Sequence, residues 1–376
     1  MNFKFSLATP DDDSDLRRLL ATNAMPGRIT TTFEREPGYF LGCGTMGPFW
    51  QVVTAREKES GALAGVLCRS TQLHFVNGRA EELGYIGQLR VDHRYRGAWL
   101  LSQGLPYLHT LHQDGRTRAY FAAISAENHV ARGVLVDHPR PGFPAMHELA
   151  HIVTLGIILS RAGWANPLQR APGNELTIRP GTPELLPAIV AFLQEAGTQK
   201  QFFPVYTEAD FTTRDTTLGF SVEDFRVAYA DERIAGVVGL WDQSGYKQTI
   251  VQDYAPSLRR IRPFYNLGAR ILGIQPLPAV GHHIRSAYAS FVCTRDNNPE
   301  IFRRLLQAIY QLAATRGHAY LMIGLCEQDP LLQVAQRYPH IAYHSHLYTV
   351  AWDNASDSNF HDSLDERIPY VEIAAL

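Results

Sequence analysis

The sequence predicts an α/β (α+β) protein of two successive domains, each a mixed, mostly antiparallel sheet flanked by helices. Three observations point there. The chain of 376 residues is 45% hydrophobic and 19% charged, long and apolar enough to bury sizeable cores. Stretches with apolar period two alternate with stretches of period 3.6 along its length. The succession strand, helix, antiparallel strands, strand, helix, strand, helix, strand is read twice, on either side of a Gly-, Pro- and Ala-rich segment. The expected boundaries are 1–162 for the first domain, 163–174 for the linker and 175–376 for the second domain.

Phe3–Ala8 reads as a strand. Thr9-Pro10-Asp11-Asp12-Asp13 opens a helix, with a capping hydroxyl, a Pro in the first turn and acids at the positive end. Arg28 to Met46 has no clear period and is expected to form a loop or short helix at a substrate entrance. Trp50–Ala55 and Leu63–Ser70 read as strands joined by the turn Arg56–Gly61, with Thr71–Val76 as a third. Tyr85–Val91 is a strand that ends in Asp92-His93-Arg94-Tyr95-Arg96-Gly97. The apolar spacing then turns helical at Leu100, Leu101, Leu105, Leu108 and Leu111. Thr117–Ser125 is a strand, Ala131–Val136 a short helix, and Pro139, Pro141 and Pro144 break the chain. His147–Leu159 closes the first half as one strand or a pair.

In the second half Leu176–Arg179 is a strand, and Gly181-Thr182-Pro183-Glu184 opens a helix. Phe225–Tyr229 and Ile234–Trp241 form a strand pair, and Lys247–Tyr254 is expected to continue the same sheet. Leu258–Leu272 is helix-like, and Tyr343–Trp352 alternates like a strand. Short matches link the halves. Leu63-Ala64-Gly65-Val66 answers Ile234-Ala235-Gly236-Val237 at an offset of 171. Ala119-Tyr120 answers Ala319-Tyr320, and Glu127 answers Glu327, at an offset of 200. At that second offset Leu89–Leu111 falls on Ala289–Gln311, Asp296 stands opposite Arg96, and Asn297-Asn298-Pro299 replaces the Gly turn.

A strand running through a short basic turn into a helix aims unpaired N–H groups and the positive helix end at one spot, which suits an anion. Arg94 and Arg96 suit phosphate or pyrophosphate. The stretch resembles the acetyl-CoA signature of the GNAT N-acetyltransferases. Val91 and Arg96 have the family's separation, and Tyr95-Arg96-Gly97 is similar to its usual turn. Trp99 and Leu101 stand where the family carries small residues. Downstream, Asn128, Ala131 and Gly142-Phe143 take the positions of further family landmarks. The resemblance covers roughly 3–160 well and 175–352 weakly, as in tandem-GNAT proteins in which one copy keeps the cofactor site.

The resemblance implies that acyl-CoA, acetyl-CoA or another, is a co-substrate and an amine the acceptor. Backbone groups of Leu89, Arg90 and Val91 would hold the acyl carbonyl and the pantetheine arm. N–H groups from Arg96 through Gly97, Ala98, Trp99 and Leu100 to Leu101 would hold the pyrophosphate, with Asn128 contacting the pantetheine or its neighbours. Tyr85 occupies the place of the family's Glu base and Leu135 that of its Tyr acid. Tyr85, Glu82 and Glu127 are therefore the candidate proton carriers. The second copy reads as structural, or as one wall of the acceptor pocket between the domains. A rival within the same resemblance is a tandem-GNAT protein that holds CoA as a sensor or scaffold without catalysis.

A net charge of −2 argues against a general nucleic-acid binder. The longest apolar run, Ile152–Leu159, is too short to span a bilayer, so no membrane partner is expected. The N-terminus lacks a signal-peptide pattern, and the scattered cysteines Cys43, Cys68, Cys293 and Cys326 fit a reducing cytoplasm. A monomer or homodimer acting on a small-molecule or peptide amine is the expectation. His147-Glu148-Leu149-Ala150-His151 matches the H-E-x-x-H pattern of zinc peptidases. The β-rich run that follows places it on a strand, where His147 and His151 would lie about 13 Å apart. No metal is expected.

Overall fold

The computed structural model describes residues 2–96, 98–138, 142–161, 176–352 and 359–376. The expected linker, Pro139 and Pro141, Gly97 and the side chains of Ala98 and Trp99 lie outside these. The first half runs β1 (Phe3–Leu7), α1 (Asp13–Thr22), β2 (Ile29–Glu34), β3 (Phe49–Glu57), β4 (Leu63–Val76), β5 (Arg79–Val91), α2 (Ala98–His112), β6 (Tyr120–Ser125), α3 (His129–Arg132) and β7 (Ala145–Ile158). The second runs β8 (Thr177–Pro180), α4 (Leu186–Gly197), β9 (Phe203–Pro204), α5 (Glu208–Thr212), β10 (Phe225–Ala230), β11 (Arg233–Trp241) and β12 (Gln248–Tyr254). It continues with α6 (Pro256–Ile271), β13 (Ser286–Thr294), α7 (Pro299–Thr315), β14 (Tyr320–Cys326), α8 (Pro330–Ala335) and β15 (His340–Ala351). Among the described residues no helix is long and apolar enough to cross a membrane.

One sheet runs through both halves, in the order β1-β3-β4-β5-β6-β15-β7-β14-β13-β11-β10-β8, with β9 pairing β4. The last strand of each half is exchanged. β15 lies against β6, and β7 lies against β14. The two exchanged strands pair with each other from His340↔Ile157 to Ala351↔Ala145. Among the described strands β5–β6 and β13–β14 are the parallel pairs. A large apolar cluster of the second half takes in Val153, Leu155 and Ile157 from β7, so the exchanged strand is part of that core.

Local chemistry explains the elements. The Thr9 N–H donates to the Asp12 carboxylate at 2.8 Å and starts the turn before α1. β4 is one strand of 14 residues, not the two that its polar middle suggested. Arg69, Ser70 and Thr71 are buried there rather than turned to water. The fully buried Arg69 donates to both oxygens of Asp114 at 2.9 and 2.7 Å, to Gln51 at 2.9 Å and to the Tyr120 hydroxyl at 2.9 Å. Satisfied in this way, a cation can stay inside a sheet.

Three further expectations are corrected. Ile29–Glu34 is a strand, and β12 does not continue the main sheet but pairs with it in a separate two-stranded sheet. The ungapped match of Leu89–Leu111 to Ala289–Gln311 also fails. In β5 the register slips at Gln88, whose φ is 56°, and in β13 it slips at Phe291, whose φ is 58°. The equivalent residues are thus 203 positions apart in these strands, while Tyr120 and Tyr320 still open matching strands. The second half reaches its strand with three fewer residues, so Asp296 is not the counterpart of Arg96.

Where β5 meets β6, Gly84 sits under the Tyr120 ring. A Cβ there would lie 2.0 Å from Tyr120 Cδ1. Gly84→Ala is expected to cost about 1–3 kcal/mol in urea unfolding, because the ring is locked by its hydroxyl partners. Gly133→Ala, which meets nothing within 4 Å, should stay within about 0.5 kcal/mol. His74 in β4 is 5% exposed, and burial lowers its pKa to about 4. Unfolded, it titrates at its ordinary value of 6.5 and binds the proton more readily. Its contribution is therefore complete above pH 6.5 and is lost as the pH falls towards 4. Between pH 7 and 4, His74→Gln should lose roughly 3 kcal/mol less stability than the wild type in denaturant titrations.

Candidate functional site

β5 and β6 are hydrogen-bonded only at Gly84↔Tyr120 and Tyr85↔Phe121. Beyond that point Ile86–Val91 and Ala122–Ser125 diverge. The cause is the bulge, where Gln88 and Leu89 together face Leu67 and turn β5 aside. The divergence opens a cleft in the sheet, lined by strand-edge backbone groups. Leu67, Ile86, Leu105, Leu108, Ala122 and Ile124 belong to one apolar cluster against it. At its mouth the Asn23 amide, at the end of α1, donates to the Val91 carbonyl at 2.8 Å and accepts from Arg96 at 3.1 Å. Arg90 is half-buried and donates to the Leu89 carbonyl at 2.9 Å, and desolvation lowers its pKa.

The turn after β5 separates its two arginines. Arg94 is bound to Asp92 through Nε at 3.1 Å and Nη2 at 2.8 Å, and this bonding holds the Asp92 carboxyl below its ordinary range. Arg96 is exposed and meets the neutral Asn23. Leu100 is buried against Phe3, Ala55 and Ala64, which pins the first turn of α2, and Leu101 is half-buried. That first turn carries no acidic residue.

The three candidate proton carriers are not brought together. Tyr85 is buried, and burial pushes its phenol well up. Its hydroxyl lies over Gly87, where a Cβ would be 1.9 Å away. It lines a small cavity with Ser70, Gln72 and His74 of β4, Phe121 of β6 and the tail residue Leu376. Glu82 is exposed near the start of β5, one position out of phase with Leu83 and Tyr85, and outside that lining. Glu127 is exposed in the turn after β6. Asn128 beside it accepts from the Ala131 N–H at 3.1 Å, so its side chain caps α3.

The C-terminal tail was missed at the level of sequence, since nothing in its composition marks it. Val371, Glu372, Ala375 and Leu376 line the cavity. Lys247, whose pKa desolvation lowers to about 7, donates to the Leu376 oxygen at 2.6 Å and the Ala374 carbonyl at 3.3 Å.

The same tail occupies the matching place in the second half. The bulge N–H of Phe291 donates to Glu372 at 2.8 Å, and the Val292 N–H donates to the Tyr370 hydroxyl at 3.3 Å. Burial raises the pKa of Glu372, although the bonds from the Phe291 N–H and the Tyr370 hydroxyl oppose it. At the start of α7 the Asn298 side chain accepts from the N–H groups of Glu300 at 2.8 Å and Ile301 at 3.3 Å. Pro299 has no N–H, and Glu300 adds a negative charge there. The donors that could hold an anion are thus used internally.

The H-E-x-x-H segment lies within β7, so the single helical face of the peptidase arrangement is not formed. His147 instead stacks on His361 with ring centroids 5.1 Å apart.

No family profile matches the sequence. No curated protein matches it either. Solved structures do match. Saccharomyces cerevisiae N-myristoyltransferase with bound myristoyl-CoA superposes with a TM-score of 0.60 at 11% identity, over 93% of this chain and 79% of that one. The same enzyme with myristoyl-CoA and inhibitors gives a TM-score of 0.62 at 11% identity, over 99% and 86%. A GCN5-related N-acetyltransferase from Sphaerobacter thermophilus gives 0.54 at 12% identity, over 99% and 98%. The chain has the tandem-GNAT fold, two GNAT-like units sharing one sheet.

Proposed function

We propose that the protein is an acyl-CoA-dependent N-acyltransferase whose first-half cleft receives the thioester. The observation that carries this is the contrast between two similar bulges. The one at Phe291 is closed by the chain's own tail, and the one at Gln88 opens into a cleft whose far end is a basic turn and a helix start. In this reading the backbone of Leu89, Arg90 and Val91 holds the acyl carbonyl and the pantetheine arm. Arg96 and the amides of Gly97, Ala98, Trp99, Leu100 and Leu101 hold the pyrophosphate. Asn128 acts indirectly, by capping α3 beside the cleft. The fold neighbours include an enzyme bound to myristoyl-CoA and an N-acetyltransferase, and acetyl-CoA is the acyl donor we propose first.

The acceptor, a small-molecule or peptide amine, enters through the cavity lined by Tyr85. Its nitrogen attacks the thioester carbonyl, the C–N bond forms, and the C–S bond breaks to release CoA thiolate. With its pKa raised by burial, Tyr85 stays protonated at neutral pH, which suits donation to the carbonyl oxygen or the departing sulfur rather than base catalysis. Proton removal from the amine falls to water relayed to the surface carboxylates Glu82 or Glu127, with most of the rate supplied by positioning. A second reading, CoA binding without catalysis, is favoured by the fact that neither carboxylate lines the cavity.

Calorimetry with acetyl-CoA and longer acyl-CoA thioesters tests the proposal. Arg96→Glu should weaken binding at least ~10-fold through a lost charge-assisted phosphate contact. The same charge reversal at Arg295, in the matching turn of the second half, should leave affinity unchanged. Equal losses would move the site or dissolve it. Thiol release over an amine panel then separates enzyme from sensor, since a sensor binds the thioester without releasing CoA.

A further inference from the structure

Beyond the cleft, the exchanged strands assemble a second cluster. Glu148 and His151 lie three positions apart on β7, where strict alternation would point them to opposite faces. The register shows why they do not. Leu347 pairs with Ala150 and Tyr348 with Glu148, so Leu149 is an extra residue. This bulge turns Glu148 onto the face of His151, and His346 stands directly across from His151 on β15.

The atoms converge. His151 Nε2 is 2.7 Å from Glu148 Oε1, and His346 Nδ1 is 3.1 Å from the same oxygen. The His346 nitrogen is buried and off line for a hydrogen bond. One nitrogen from each His and one carboxylate oxygen all lie within 4.8 Å of one another. Tetrahedral coordination at about 2.1 Å places ligand atoms roughly 3.4 Å apart, so small side-chain rotations bring all three into range. Outer partners are also in place. Glu327 Oε2 is 3.3 Å from His151 Nδ1, on the opposite side of the ring from the Nε2 that bonds Glu148, and would hold the imidazole in place when Nε2 turns to a metal. The Tyr348 hydroxyl is 3.5 Å from the second Glu148 oxygen.

We propose that Glu148, His151 and His346 form a binding site for one divalent transition cation of the zinc class, which clasps the exchanged strands of the two halves together. Two imidazoles and a carboxylate suit such an ion, with water in the fourth position. The site uses two residues of the H-E-x-x-H segment but replaces its first His with one from the other half of the chain. Further along the same strand pair Met146 stands across from Val350 and Ala145 from Ala351, none of them a zinc ligand.

Calorimetric titration of the chelator-treated full chain with ZnCl2, in a non-coordinating buffer, tests the proposal. One ion per chain is expected, and zinc should raise the melting temperature of the wild type but not of His346→Ala. Glu327→Gln should weaken binding ~10–100-fold, as loss of an outer partner does. His346→Ala and Glu148→Gln should weaken it further, and His147→Ala should leave it unchanged. Folding of each variant is checked by its melt without metal. No saturable uptake by the wild type would overturn the site and leave an ion-paired His–Glu–His cluster. Equal losses in His147→Ala and His346→Ala would overturn the ligand assignment.

Discussion

The antiparallel pairing of Ala145–Ile158 with His340–Ala351 is the constraint on which the rest of the molecule depends. Each strand leaves its own half to lie against the other, so neither half completes its sheet alone. The exchange makes one continuous sheet and leaves each half with a parallel pair that diverges past a bulge. Backbone polar groups at a divergence need partners, and the two halves meet that need differently. The second half draws in Tyr370 and Glu372 from the tail, whereas in the first the pairing of β5 with β6 ends at Tyr85↔Phe121.

That difference sets the electrostatics of the two helix starts. Asn298, Pro299 and Glu300 give α7 a self-satisfied, acidified N-terminus. The turn before α2 instead pairs Arg94 with Asp92 and leaves Arg96 exposed next to a neutral amide. A helix dipole favours anions only where its first N–H groups are not already occupied. The tail that bonds the bulge of the second half also lines the cavity beside Tyr85, so a single segment links the second half to that cavity.

Much of this was legible in the residues. The passage from Tyr85–Val91 through a basic turn into a Leu-rich helix shows a clean change of apolar period, and the structure has it as β5 and α2. Partner choice was not legible, because period two encodes which face a residue takes and not which strand lies beside it. The pairing of β2 with β12 joins residues from 214 (Glu34↔Gln248) to 225 (Ile29↔Tyr254) positions apart, and a Thr-rich segment carries no trace of that. The bulge at Gln88 was invisible for a different reason. A residue other than Gly holds the positive φ, so the usual marker is missing. The polar centre of β4 misled in the opposite direction, since Arg69 is buried only because Asp114, Gln51 and Tyr120 converge on it from elsewhere.

Amide hydrogen exchange with and without a non-hydrolysable thioether analogue of acetyl-CoA tests the central claim most directly, since it reports which of the two bulged clefts is used. The account predicts slowed exchange at Ile86–Val91 and in the first turn of α2, with Ser286–Thr294 and the first turn of α7 unchanged. Slowing in the second-half segments, or in neither, would contradict it.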